Sequence, residues 1–108
     1  MTKISFEKYK KFDSEKFKSL NLEWLNKFFK VEPIDELVLN NPKQEIIDKG
    51  GFIFMIQKNY DTIGTFAFIK KSAKIYEFSK MAITPDERGN GYGNMAMEFL
   101  IQFAKTKK

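Results

Sequence analysis

The chain has 108 residues, 43% of them apolar and 31% charged, with twelve Phe, no Cys and no His. That length holds one small domain and not two, here taken as a single domain over residues 1–108, and so small a core must draw on its largest side chains. The missing cysteines exclude disulfides, thiolate metal sites and a thiol nucleophile. The missing histidines exclude Ser-His-Asp chemistry and the commonest transition-metal ligand, so no metal site is expected and any general base must be Asp, Glu, Lys, Tyr or water.

Net charge is +5 from 19 basic and 14 acidic side chains. The surplus sits in residues 1–30 and 70–108, with an acidic stretch between them. A basic surplus can attract nucleic acid, an anionic surface or a phosphorylated small molecule. Here the lysines are scattered along amphipathic segments and Arg88 is the single arginine, so solvated helix faces account for them and nucleic acid is not the expected partner. No apolar run approaches the roughly 20 residues of a membrane span, and the segment Met1 to Glu7 lacks the apolar core of a signal peptide. A cytoplasmic protein without a membrane partner is the expectation.

In chain order, Ile4 and Phe6 alternate with polar neighbours and suit a first strand. Asp13 or Ser14 can cap a helix carrying Phe17, Leu20, Trp24 and Phe28 at helical spacing, with Leu25 and Phe29 widening the stripe. Trp24, Phe28 and Phe29 are read there as core residues, with contact to an acceptor as the alternative. Pro33 ends that helix, a second helical piece covers Ile34 to Leu39, and a third opens with Asn41 as cap, Pro42 at the first position and Gln44 behind it. Gly50-Gly51 stops it and leads into Phe52 to Ile56, a strand joined through the turn residues Asn59 to Thr62 to a second strand, Ile63 to Ile69. A further strand runs from Ile75 to Ile83, and simple alternation puts Ile75, Glu77, Ser79, Met81 and Ile83 on one of its faces. Beyond the glycine-rich stretch that follows, Ala96, Phe99, Leu100 and Phe103 mark a last helix. This order implies an α/β layer arrangement of the α+β type, helices on a mainly antiparallel sheet.

The glycine-rich stretch is Arg88-Gly89-Asn90-Gly91-Tyr92-Gly93-Asn94. Three alternate glycines between a strand and a helix allow a tight turn whose amides, unscreened by Cβ atoms, meet the positive end of the helix and suit a phosphate or diphosphate. It is not a Walker A loop, which needs Gly-Lys-Ser/Thr, nor a Rossmann fingerprint, which needs a different glycine spacing. A plain connection that binds nothing stands as the alternative.

Arg88-x-x-Gly91-x-Gly93, preceded by a strand ending Met81-Ala82-Ile83-Thr84-Pro85 and followed by an apolar helix, resembles the acyl-CoA-binding motif of the GNAT superfamily of N-acetyltransferases. Ile63-Gly64-Thr65-Phe66-Ala67 resembles the third strand of that family. The resemblance implies a GNAT-like fold with acetyl-CoA (coenzyme A) as cofactor. Backbone amides of Arg88, Gly89, Asn90, Gly91, Tyr92, Gly93 and Asn94 would hold its diphosphate, and the strand Met81, Ala82 and Ile83 its pantetheine arm. It also implies direct transfer of an acetyl group to a primary amine on a small molecule or peptide, with Glu77, five residues before Ala82, where histone-type relatives keep a general base. A half-exposed strand residue paired with a lysine is the alternative role for Glu77. The acids Glu32, Asp35 and Glu36 could attract a cationic acceptor.

The family pattern continues with a splayed strand, a helix and a hairpin that this sequence does not contain, so a truncated form of the fold is expected. That leaves the strand 75–83 at an open edge and Met95, Met97 and Ile101 outside the main stripe of the last helix, from which self-association is expected. Two other functions stay open beside acetyl transfer: a non-catalytic domain that binds CoA or a protein, and a basic nucleic-acid-binding domain.

Overall fold

The computed structural model describes residues 3–106. Strand β1 spans Ile4–Lys8, helix α1 Ser14–Phe28, helix α2 Pro33–Asn40, strand β2 Phe52–Lys58, strand β3 Asp61–Ser72, strand β4 Ile75–Ile83 and helix α3 Tyr92–Lys105. The sheet order is β1-β2-β3-β4 and each neighbouring pair is antiparallel, so β1 and β4 are its edges.

Both faces of the sheet are covered. On one side α1 and α2 pack Phe17 and Leu39 against Ile53, Met55 and Ala67. On the other, α3 packs Ala96, Leu100, Phe99 and Phe103 against Phe54, Ile56, Phe66 and Ile83. A strand buried on both faces has no polar face to show, which is why Phe52 to Ile56 reads as an unbroken apolar run. Phe66 is fully buried, with ring centroids 5.8 Å from Phe6, 5.5 Å from Phe54 and 5.7 Å from Phe78. Gly64 is where two strands come closest: a Cβ there would lie 2.6 Å from Ile83 Cδ1 and 2.8 Å from the Ala82 carbonyl oxygen.

Local hydrogen bonds alter several expectations. Asp13 stands at the cap position of α1, but its carboxylate accepts the Lys10 amide at 2.8 Å and closes the 3-10 turn Lys11–Asp13 instead. The Asp35 carboxylate accepts the Glu32 amide at 2.9 Å in a capping box that starts α2. The third expected helix is a single wide turn, Lys43–Ile47, whose Asp48 amide donates to the Lys43 carbonyl at 2.8 Å. Asn41 does not cap it, because its side-chain amide donates back to Leu37 O at 3.0 Å and finishes α2. Asn59 and Tyr60, with φ of 51° and 75°, make a two-residue hairpin turn, so β3 starts earlier than Ile63 and runs beyond Ile69.

Two further corrections bear on function. Trp24, Phe28 and Phe29 are not core residues: Trp24 is half-buried, and Phe28 and Phe29 are 50% and 64% exposed. A core stripe and the wall of a groove have the same helical spacing. Nor do Ile75, Glu77, Ser79, Met81 and Ile83 share a face. Between the pairs Ala67↔Ser79 and Thr65↔Ala82, β4 holds one residue more than β3, and Lys80 takes φ of 53°. This bulge reverses the alternation. Tyr76 and Phe78 before it, and Met81 and Ile83 after it, all turn to the α3 side.

Truncating Phe66 to Ala removes four ring contacts at once and should cost about 3–5 kcal/mol, a large share of the stability of so small a domain. Urea unfolding checks it, with Phe12→Ala, at a side chain 80% exposed, expected to stay within about 0.5 kcal/mol of wild type.

Candidate functional site

Past the bulge, β4 runs straight into a 3-10 turn, Pro85–Glu87, and the glycine loop. The Thr84 amide donates to the Ile63 carbonyl at 2.8 Å, which fixes the hydrogen-bonding parity of this end of the strand. Backbone groups alternate sides along an antiparallel strand, so Ala82 also faces β3 while Met81 and Ile83 turn their N–H and C=O groups to the open edge. Their side chains pack in the core on the α3 side.

In the loop, Gly89 and Gly91 both adopt φ of +83°, a left-handed conformation that other residues enter only with strain. A Cβ at either would meet nothing within 4 Å, so the space beside both glycines is open. Among the described residues, none of the N–H groups from Gly89 to Asn94 donates a hydrogen bond. These six amides gather at the N-terminus of α3, a helix of 14 residues whose dipole adds partial positive charge there. The Arg88 amide differs, since it donates to the Pro85 carbonyl at 3.4 Å within the turn.

Beside the loop opens a cavity of about 550 Å³, a volume ordinary for small-ligand sites. It brings together Met81, Ala82, Ile83, Arg88, Gly89, Gly91, Tyr92 and Gly93, and its far wall is Trp24 and Phe28 of α1. Asn90 and Asn94 are exposed just outside it. Tyr92 gives its ring to the core. Sequence reasoning missed the α1 wall. One signal was available: α1 has more large apolar residues than one stripe can bury, with an acid, Glu23, next to Trp24. A cavity of similar size, about 590 Å³, lies between the starts of α1 and of the Lys43–Ile47 turn and contains none of these residues.

Glu77 is placed elsewhere. It sits upstream of the bulge, in a smaller groove of about 340 Å³ between α2 and β4, with its carboxylate 3.7 Å from Lys71 Nζ and half-exposed. Ser79 and Lys80 line the same groove. Asp35 is occupied: besides capping α2 it lies 3.7 Å from Lys80 Nζ, with both side chains largely buried. Among the described residues no group of three acidic side chains is placed to hold a metal ion.

The turn that presents the loop is anchored by Lys58, at the end of β2, whose ammonium donates to both carboxylate oxygens of Glu87 at 3.0 and 3.2 Å. The hydrogen bond to Glu87 raises the Lys58 pKa above its ordinary 10.5, against partial desolvation, which lowers it.

This strand–loop–helix geometry agrees with a family. The family model for acetyltransferase (GNAT) matches residues 17–108. The chain belongs to the GNAT acetyltransferase family. Solved structures share the fold: a GNAT-family acetyltransferase from Staphylococcus aureus Mu50 superposes with a TM-score of 0.82 at 18% identity, covering 97% of this chain and 68% of that one. An acetyltransferase from Streptococcus agalactiae gives 0.77 at 16% identity over 95% of this chain and 66% of the other. A predicted acetyltransferase from Clostridium acetobutylicum, solved with acetyl-CoA, gives 0.73 at 18% identity over 97% and 75%. This GNAT domain therefore spans about two-thirds to three-quarters of those chains and is truncated relative to them. No curated protein sequence matches it. No helix among the described residues is long and apolar enough to cross a membrane.

The Lys58–Glu87 pair gives a pH prediction for the GNAT domain. A pKa raised on folding stabilises the fold at pH values below the unfolded pKa, and that gain fades as pH rises through the folded value. The stability difference between wild type and Lys58→Met should therefore stay constant from neutral pH to about 10 and shrink above it, read by urea unfolding at a series of pH values.

Proposed function

We propose that this GNAT domain binds acetyl-CoA at the glycine loop and transfers the acetyl group to a primary amine by direct attack. The observation that carries the reading is the set of six uncommitted amides, Gly89 to Asn94, around an open left-handed turn at a helix N-terminus. Such a set fits a diphosphate through hydrogen bonds to its oxygens and through the helix dipole. The outward main-chain groups of Met81 and Ile83 support a second contact, in which the amide-bearing pantetheine arm pairs with β4 in the manner of an added strand.

Acetyl-CoA, when bound, supplies an activated thioester. The acceptor must arrive as a free amine, and a carboxylate can take its proton directly or through water. We assign that role to Glu77, which faces the α2 groove. The amine nitrogen bonds to the acetyl carbon as the carbon–sulfur bond breaks, and no Cys or metal is needed in the path. The position of Glu77 also favours a second reading. It stands outside the loop cavity and is paired with Lys71, an arrangement that suits a domain which holds CoA without turning it over. The open edge of β4 further supports self-association of the chain, expected as a dimer in sedimentation and contradicted by a monodisperse monomer.

Calorimetry with CoA tests the first step: saturable one-to-one binding is expected. Gly91→Ala, forced into a left-handed conformation at about 1–2 kcal/mol, should weaken it severely. A folded wild-type protein that takes up no CoA would sink the reading. A thiol-release assay over a panel of amines separates the two alternatives, and Glu77→Gln should cut turnover by about 10²-fold or more while leaving CoA binding intact. Turnover that survives Glu77→Gln removes Glu77 as the base.

A further inference from the structure

Arg88 ties the glycine loop to the middle of α1. Its guanidinium carbon lies 5.0 Å from the ring centroid of Trp24 and 5.7 Å from that of Phe28, and its Nη2 donates to Glu23 Oε1. Trp24 and Phe28 stand one helical turn apart, their rings 4.4 Å from each other, so a single side chain of the loop is gripped by three of α1. The remaining donors tell more. Nε and Nη1 of Arg88 are buried and, among the described residues, have no hydrogen-bond partner.

Buried donors that have lost water and gained no acceptor weaken the fold, and the Arg88–Glu23 pair, with the Glu23 side chain 39% exposed, is screened by solvent and contributes little. The contact is thus a poor source of stability. What it does fix is a distance. Arg88 is the residue immediately before Gly89, and its own amide is held by Pro85, so gripping its side chain sets where the run of free amides begins. Among the described residues no hydrogen bond of those backbone amides performs that task, and the loop's other tie, from the exposed Asn90 side chain to the Glu87 carbonyl at 3.2 Å, lies beyond the start of the run. An anion site built from main-chain amides depends on their mutual placement, and small displacements cost affinity steeply.

We propose that Glu23, Trp24 and Phe28 are positioning residues that act through the Arg88 side chain to hold the glycine loop in its anion-binding geometry, coupling α1 to the CoA diphosphate site. The inference rests on the CoA reading above. Binding and positioning are linked in both directions, so CoA entering the cavity changes the surroundings of Trp24. Trp24 is the only tryptophan in the chain, and its emission is a direct reporter.

The test uses the full chain as wild type, Arg88→Met and Glu23→Gln, titrated with CoA by calorimetry and by tryptophan emission, with thermal midpoints measured in parallel. Wild type should bind, with an emission change that saturates at the calorimetric midpoint. Arg88→Met, which removes the unpaired donors and keeps the apolar stem, should melt at or above the wild-type temperature yet bind CoA roughly tenfold or more weakly, and Glu23→Gln should weaken binding in the same direction. Variants that melt like wild type and bind CoA equally well would overturn the positioning role and leave the CoA reading standing. A fall in the melting temperature of Arg88→Met that accounts for its lost binding makes the contact merely structural and overturns the proposal too. Wild-type protein that is folded but binds no CoA overturns the CoA reading itself.

Discussion

The bulge at Lys80 decides what each half of β4 can do. Upstream of it the strand gives Tyr76 and Phe78 to the aromatic core under α3 and turns Glu77 and Ser79 to the α2 groove. Downstream it gives Met81 and Ile83 to that same core, which turns the Ala82 side chain to the other face of the sheet and delivers the chain to the turn at Pro85. Without the extra residue, the loop would leave the sheet with the opposite parity and α3 would lose Met81 and Ile83 from its footing. The left-handed conformation at Lys80 costs about 1–2 kcal/mol, and the nearby Asp35 carboxylate, itself the cap of α2, gives the ammonium a partner in a mostly buried setting. Thus the start of α2 and the bulge are fastened together.

A second fastening lies further along. Lys58 holds Glu87 from the end of β2, and α1 holds Arg88. The residues on either side of the turn's exit are therefore pinned by side chains from two different elements, while among the described residues the backbone N–H groups from Gly89 to Asn94 donate no hydrogen bond and only the Asn90 side chain reaches back, to the Glu87 carbonyl at 3.2 Å. Rigid support behind an uncommitted row of donors is the arrangement an anion site needs, because the donors then pay no reorganisation when a ligand arrives.

Much of this was legible in the sequence where the deciding physics is local. Glycines at alternate positions before an apolar helix mark a tight turn regardless of the rest of the chain, and the bounds of β4 and α3 follow the reading closely although the faces of β4 do not. The bulge was not legible, since Lys80 takes its conformation from the register of β4 against Ala67 and Thr65. The Arg88–Glu23 contact joins residues 65 positions apart and leaves no periodic trace. Trp24 and Phe28 were visible as a helical stripe, but periodicity reports that a face is apolar and not what covers it. Asn41 and Asp13 have the chemistry of helix caps, and in each case the side chain bonds to a backbone group on its N-terminal side instead.

The central claim is that the amides from Gly89 to Asn94 are the anion-binding element of this GNAT domain. Backbone amide NMR during a CoA titration tests it most directly. The largest shifts should fall on Gly89 to Asn94, with smaller ones along Met81 to Ile83 and at Trp24. Shifts confined to the other cavity, around Tyr9 and Lys43, or no shifts in a well-folded spectrum, would contradict it.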